Sequence, residues 1–127
     1  MISSASASPE SPLPPCSSSP NCVSSNAGGS YYIDPFVIKG DPKTAFARLA
    51  SILSKRKDTS IISADDSRIR VEFRTILGFV DDGLFILDQQ QRIIQIRSAA
   101  RLGYWDLGKN RRRLEEIRRE FVHATPD

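Results

Sequence analysis

Residues 68–77 read RIRVEFRTIL. In an extended chain Ile69, Val71 and Phe73 fall on one side, and Arg68, Arg70, Glu72 and Arg74 on the other. Strand side chains alternate between faces, so this stretch demands a sheet with one buried and one wet face, which is the antiparallel kind. The rest of the chain must fit that frame. TSIIS (59–63), DGLFILD (82–88) and RIIQIRS (92–98) supply three more strands. Their short connections favour hairpins over crossovers. YYIDPFVI (31–38) is β-prone and reads as the first strand, with Pro35 pointing to an edge position or a bulge.

Two helices complete the pattern. Asp41 can cap exposed N–H groups and Pro42 suits the first helical position. Phe46, Leu49, Ala50 and Leu53 then recur on one stripe, while Lys55, Arg56 and Lys57 sit where the macrodipole favours cations. The second helix is expected from near Asn110 to about Val122, with Asp106 or Asn110 as its cap and Leu114, Ile117 and Phe121 as its apolar stripe. Arg112–Glu116 and Glu115–Arg119 are spaced as i,i+4 pairs on the outer side. The expected order is β-α-β-β-β-β-α: an α+β, two-layer domain with a single antiparallel sheet and both helices on one face.

Composition sets the domain limits. Residues 1–30 are rich in Ser, Pro, Ala and Gly and hold few large apolar residues beyond Leu13 and Val23. Such a segment buries too little surface to offset its ordering entropy, so it is expected to be a flexible lead. One domain over 31–123 and a tail at 124–127 follow. No run of about 18 apolar residues exists, which gives no transmembrane helix. The N-terminus lacks the apolar core of a secretory signal. As written, the chain is expected in the cytoplasm.

The formal charge of +3 is unevenly placed. Residues 92–120 hold nine Lys and Arg against four acids, a local excess of +5 that leaves the remainder at −2. That asymmetry points to an anionic ligand or partner. Nucleic acid is disfavoured, because its binders are more basic overall. Within the segment, Arg97, Ser98, Arg101, Tyr104, Asp106, Asn110 and Arg111 form a polar set around a strand-to-helix loop. It reads either as a structural network or as an anion pocket with guanidinium forks beside a helix N-terminus. Trp105 reads as an aromatic for a partner or as a lid on the core. Asp81 and Asp82, in GFVDDG, read as a polar turn with Gly83 giving backbone freedom, or as carboxylates facing Arg97 or Arg101.

Catalytic signatures are sparse. No Ser-His-Asp set, phosphate loop, cofactor motif or metal-ligand cluster is present, and His123 is the single histidine. Acid/base work could fall to carboxylates, and Asp81-Asp82 is the best pair for a small hydrolase- or isomerase-like enzyme. Cys16 and Cys22, in CSSSPNC, are either free thiols in a loose tail or a small disulfide loop that a reducing compartment would keep open. They do not complete a four-ligand zinc site.

Three stretches, CSSSPNCVSS (16–25), GFVDDGLFILD (78–88) and IRSAARLGYWDLGKNRRRLEEIR (96–118), resemble the domain of unknown function 1499 family. Its pattern has a Cys-Pro-x-Ser-Pro-Asn-Cys-Val-Ser-Ser opening, a Phe-Val-Asp-Asp-Val-Glu-Phe strand and an Arg-Ser-Ala-Ser-Arg-x-Gly-Tyr-Ser-Asp-Leu-Gly-x-Asn-Arg run. Here Ser17 replaces Pro, Gly83-Leu84 replaces Val-Glu, and Ala100 and Trp105 each replace Ser. The resemblance implies no established activity or cofactor. It implies cyanobacterial, proteobacterial or plastid relatives and a peripheral thylakoid or lumenal location as the alternative to the cytoplasm. The functional expectation is a non-enzymatic binding or assembly module that is membrane-associated in some relatives.

Overall fold

A computed structural model describes residues 13–103 and 106–124. In chain order its elements are β1 (Cys22–Ser24), a 3-10 turn at Gly29–Tyr31, β2 (Phe36–Val37), α1 (Pro42–Lys55), β3 (Thr59–Ala64), β4 (Arg68–Arg74), β5 (Val80–Asp88), β6 (Ile93–Ala100) and α2 (Lys109–His123). The six strands form one antiparallel sheet in the order β1-β6-β5-β4-β3, and β2 also pairs with β6. The α+β class and the single antiparallel sheet are thus as the residue pattern requires.

Local chemistry explains each helix. The Asp41 carboxylate accepts from the Thr44 N–H at 2.8 Å and from its hydroxyl, fixing the first turn of α1 behind Pro42. Ala45, Phe46, Leu49 and Leu53 are its buried stripe. Leu114, Ile117 and Phe121 of α2 meet the same cluster as Ile69, Val71, Phe73, Phe85, Leu87, Ile94 and Ile96 from the sheet. Those sheet residues all share one face by register, so both helices lie on it. Each fully buried large side chain contributes roughly 1.5–3 kcal/mol.

Gly83 lies in the middle of a strand, not in a turn. A Cβ there would come within 2.5 Å of the Phe73 ring and 2.7 Å of the Val71 side chain. The glycine makes room for an aromatic on the neighbouring strand.

Two expectations are corrected. The stretch 31–38 forms only the two-residue β2. Tyr31 closes the 3-10 turn, and the carbonyls of Asp34 and Pro35 accept from Arg118 at 2.6 and 2.8 Å instead of from a strand. Second, the segment taken as a flexible lead supplies β1. Val23 pairs with Ser98 and enters the core, while Cys22 pairs with Ala99. Cys16 and Cys22 are joined by a disulfide. Upstream of it Leu13 is buried against Leu84 and Ile86 on the sheet face opposite the helices. Residues 13–16 therefore form a strap over the outward face, tied down at β1.

Candidate functional site

Asp81 and Asp82 are consecutive residues of β5, and the period of two sends them to opposite faces. Asp81 faces the helices and is fully buried. Its Oδ2 accepts from Arg113 Nη1 at 2.8 Å and lies 3.3 Å from Lys109 Nζ. Arg113, itself buried, stacks its guanidinium 4.5 Å over Phe73 and places Nε 3.4 Å from Asp58. Ser98, on the same face of β6, donates to Asn110 Oδ1. Asn110 Nδ2 donates to Asp106 at 2.8 Å and to the Asn21 carbonyl at 3.3 Å. Asp106 also accepts from the N–H groups of Gly108 and Asn110, at 2.8 and 3.2 Å. Gly108 occupies the cap position, and Asp106 binds the first turn of α2 from outside it.

On the outward face Asp82 pairs with Arg101 at 2.6 Å, and Arg101 reaches Glu72 at 2.9 Å. Hydrogen bonds to Asp82 and then Glu72 hold the Arg101 guanidinium above its ordinary range. Arg97 lies under the strap and donates to the Pro15 carbonyl at 3.0 Å. Burial lowers its basicity, and its Nε is buried without a partner. Arg111 donates to the Ser30 carbonyl at 3.0 Å. Tyr104, with Trp105, lies outside the described residues.

Of the expected convergence of Asp81, Asp82, Arg97 and Arg101, the Asp82–Arg101 pair forms with Arg97 on the same face, but Asp81 does not join them. Asp81, Ser98, Asp106 and Asn110 belong to an internal network between sheet and α2, whereas Asp82, Arg97 and Arg101 are on the other side of the sheet. Arg113, Lys109, Asp58 and Asn21 complete the internal network without having been marked as site residues. A signal for Arg113 was present: with Asn110, Leu114, Ile117 and Phe121 it continues the helix's inward stripe at spacings of three and four.

Acids near α2 are also redistributed. Neither expected i,i+4 pair forms. Glu116 and Glu120 turn to Arg56, at 2.8 and 3.2 Å, and Glu115 pairs with Arg118 at 2.7 Å. Arg111, Arg112 and Arg119 are left with no ion pair among the described residues, the Arg112 guanidinium donating to the Leu107 carbonyl at 2.7 Å. Among the described residues no group of three His, Cys, Asp or Glu could hold a metal ion. No described helix is long and apolar enough to cross a membrane.

Asp58 joins the two ends of this charge system. Burial alone would raise its carboxyl, but hydrogen bonds from Arg56 and Thr59, with the charges of Arg56 and Arg113, hold it below the ordinary carboxylate value. A depressed folded-state value stabilises the fold above the unfolded carboxyl's range, near pH ~4, and the gain is lost as pH falls through the folded value. Asp58→Asn is expected to lower stability by roughly 1–2 kcal/mol at neutral pH. In thermal melts the gap to wild type should close below about pH 4.

The sequence profile of the family described as "Protein of unknown function (DUF1499)" matches residues 12–121. The chain belongs to the DUF1499 family. No curated protein and no solved structure matches it. The family match begins next to Leu13, so in this DUF1499 chain the strap, the disulfide and β1 all lie inside the family unit.

Proposed function

We propose that this DUF1499 domain is a non-enzymatic binding module that recognises an anionic partner through the outer face of α2. The observation that carries this reading is the set of Arg111, Arg112 and Arg119. They lie within about a third of the helix circumference, and although Glu115 and Glu116 line the same hollow, their carboxylates pair with Arg118 and Arg56 instead. Three guanidinium groups without carboxylate partners form a surface whose charge an acidic partner would complete. The rival enzyme reading, with Asp81 or Asp82 as base, gains no support, because both carboxylates are committed to guanidinium groups. The disulfide favours an oxidising compartment over the cytoplasm expected from the sequence.

A second reading, peripheral attachment to a membrane such as the thylakoid that the family resemblance implies, has one supporting observation. Ile76, Leu77 and Phe79 are exposed in the turn between β4 and β5. Exposed Leu102 follows Arg101, whose N–H donates to the Val80 carbonyl beside that turn. One experiment separates the readings. Wild type and an Arg111→Gln/Arg112→Gln/Arg119→Gln variant are used as baits on native soluble and membrane fractions, with vesicles containing anionic lipid in parallel. The first reading expects a protein partner lost from the variant and released by salt. Vesicle co-sedimentation that survives both the substitutions and salt favours the second. Equal partner capture by both baits sinks the first.

A further inference from the structure

A groove runs where β2, α1 and the last turns of α2 meet, and none of Arg111, Arg112 and Arg119 lines it. Phe36 and Phe121, both buried, lie beneath it with ring centroids 5.5 Å apart, covered by the guanidinium groups of Arg118 and Arg48, and Val37 and Val122, both more than half exposed, form its apolar sides. Its volume is about 380 Å³, within the range of small-molecule sites. Three cations line it, Lys39, Arg48 and Arg118, and no carboxylate does. Arg118 is already satisfied: Glu115 meets its charge, and the Asp34 and Pro35 carbonyls take its N–H groups. Arg48 is not. Its guanidinium lies 4.7 Å over the Phe121 ring, and its Nε is buried with no hydrogen-bond partner. Neither Arg48 nor the exposed Lys39 forms an ion pair among the described residues. A half-buried cation on an aromatic ring, with one buried donor unmet, is a place where an anion gains more than it would in water.

We propose that this groove binds a carboxylate bearing an unbranched apolar tail, the chemistry of a medium-chain fatty acid. The carboxylate accepts from Arg48, with Lys39 adding its charge at the mouth. The tail lies along the exposed side chains of Val37 and Val122, above the buried Phe36 and Phe121 rings. A small inorganic anion would satisfy Arg48 but leave Val37 and Val122 wet, and an apolar molecule without charge would leave Arg48 unpaired. Both halves of the ligand are therefore needed. This site stands independently of the α2 outer face, so either proposal can fail without the other.

The test uses the full chain, labelled with nitrogen-15 and titrated with decanoate, decan-1-ol and butyrate. Decanoate is expected to shift the amides of Val37, Arg118 and Val122 saturably and to bind at least about tenfold more tightly than either comparator. Arg48→Met keeps the alkyl cover on Phe121 and removes the charge. It should bring decanoate down to the affinity of decan-1-ol and leave decan-1-ol unchanged. Lys39→Gln, at an exposed position, should weaken decanoate by a smaller factor and serves if Arg48→Met does not fold. No binding, shifts centred elsewhere, decanoate no tighter than decan-1-ol, or an affinity that neither substitution changes overturns the proposal.

Discussion

Asp81→Ala is expected to destabilise the fold by about 3–5 kcal/mol, while Asp82→Ala, one residue along, changes stability little. The two carboxylates are chemically the same and differ only in the face they occupy. Asp81 is fully buried and holds Arg113 at 2.8 Å and Lys109 at 3.3 Å. Removing it leaves the buried Arg113 guanidinium with only the 3.4 Å contacts to Asp58 and Asn110. The loss is thus dominated by a buried charge left with only the longer Asp58 contact and not by the value of the pair itself. Asp82 is half exposed, and water takes its place at Arg101, which keeps Glu72. Urea unfolding of the two variants measures the contrast directly. Arg113→Met in the Asp81→Ala background should recover part of the loss, because it removes the stranded charge and keeps a side chain over Phe73. Equal midpoints for Asp81→Ala and wild type would show that the internal network does not hold α2 to the sheet.

Breaking the Cys16–Cys22 bond is the second large effect. In the chain-entropy account a loop of this size contributes roughly 2–3 kcal/mol. Its loss also unties the strap, so Leu13 no longer shields Leu84 and Ile86 and the Pro15 carbonyl no longer receives the Arg97 N–H. Reduction, or Cys16→Ser with Cys22→Ser, should lower the urea midpoint accordingly. Hydrogen exchange should rise at β1 and the strap before it rises in the middle of β4 and β5. Leu13→Ala, with the disulfide intact, isolates the packing part of the effect. If the reduced protein matches the oxidised one in midpoint and exchange, the strap is not held by the bond.

The parts of the fold that could be read from the residues are those whose cause is local. Asp41-Pro42 and the stripe from Phe46 to Leu53 specify α1 without help from elsewhere, and the alternation at 68–74 specifies both a strand and its two faces. What stayed hidden depends on neighbours distant in sequence. β1 has one apolar residue in a Ser-rich stretch, and its order comes from pairing with β6 and from the disulfide. Gly83 looked like a turn residue because the reason for it, the Phe73 ring, lies on another strand. The strand expected at 82–88 begins two residues late, which leaves Asp81 outside it and free to point the same way as Asp82. Once β5 is known to start at Val80, their separation to opposite faces follows. The acids of α2 were assigned to partners on their own helix, yet Arg56 at the end of α1 competes for Glu116 and Glu120 and wins both. Chain spacing alone does not reveal such a competitor.

β6 sits between β5 and the two N-terminal strands, so residues 22–24 and 36–37 find their sheet partners only at residues 93–99. During synthesis those early segments leave the ribosome long before anything exists for them to pair with. The hairpins of β3, β4 and β5 can assemble as they emerge, whereas the strands that pair with β6 must wait until residues 93–99 follow. Cys16 and Cys22 are only six residues apart in the chain. Their loop can close before that moment, delivering the N-terminal segment to the sheet already shaped for its place.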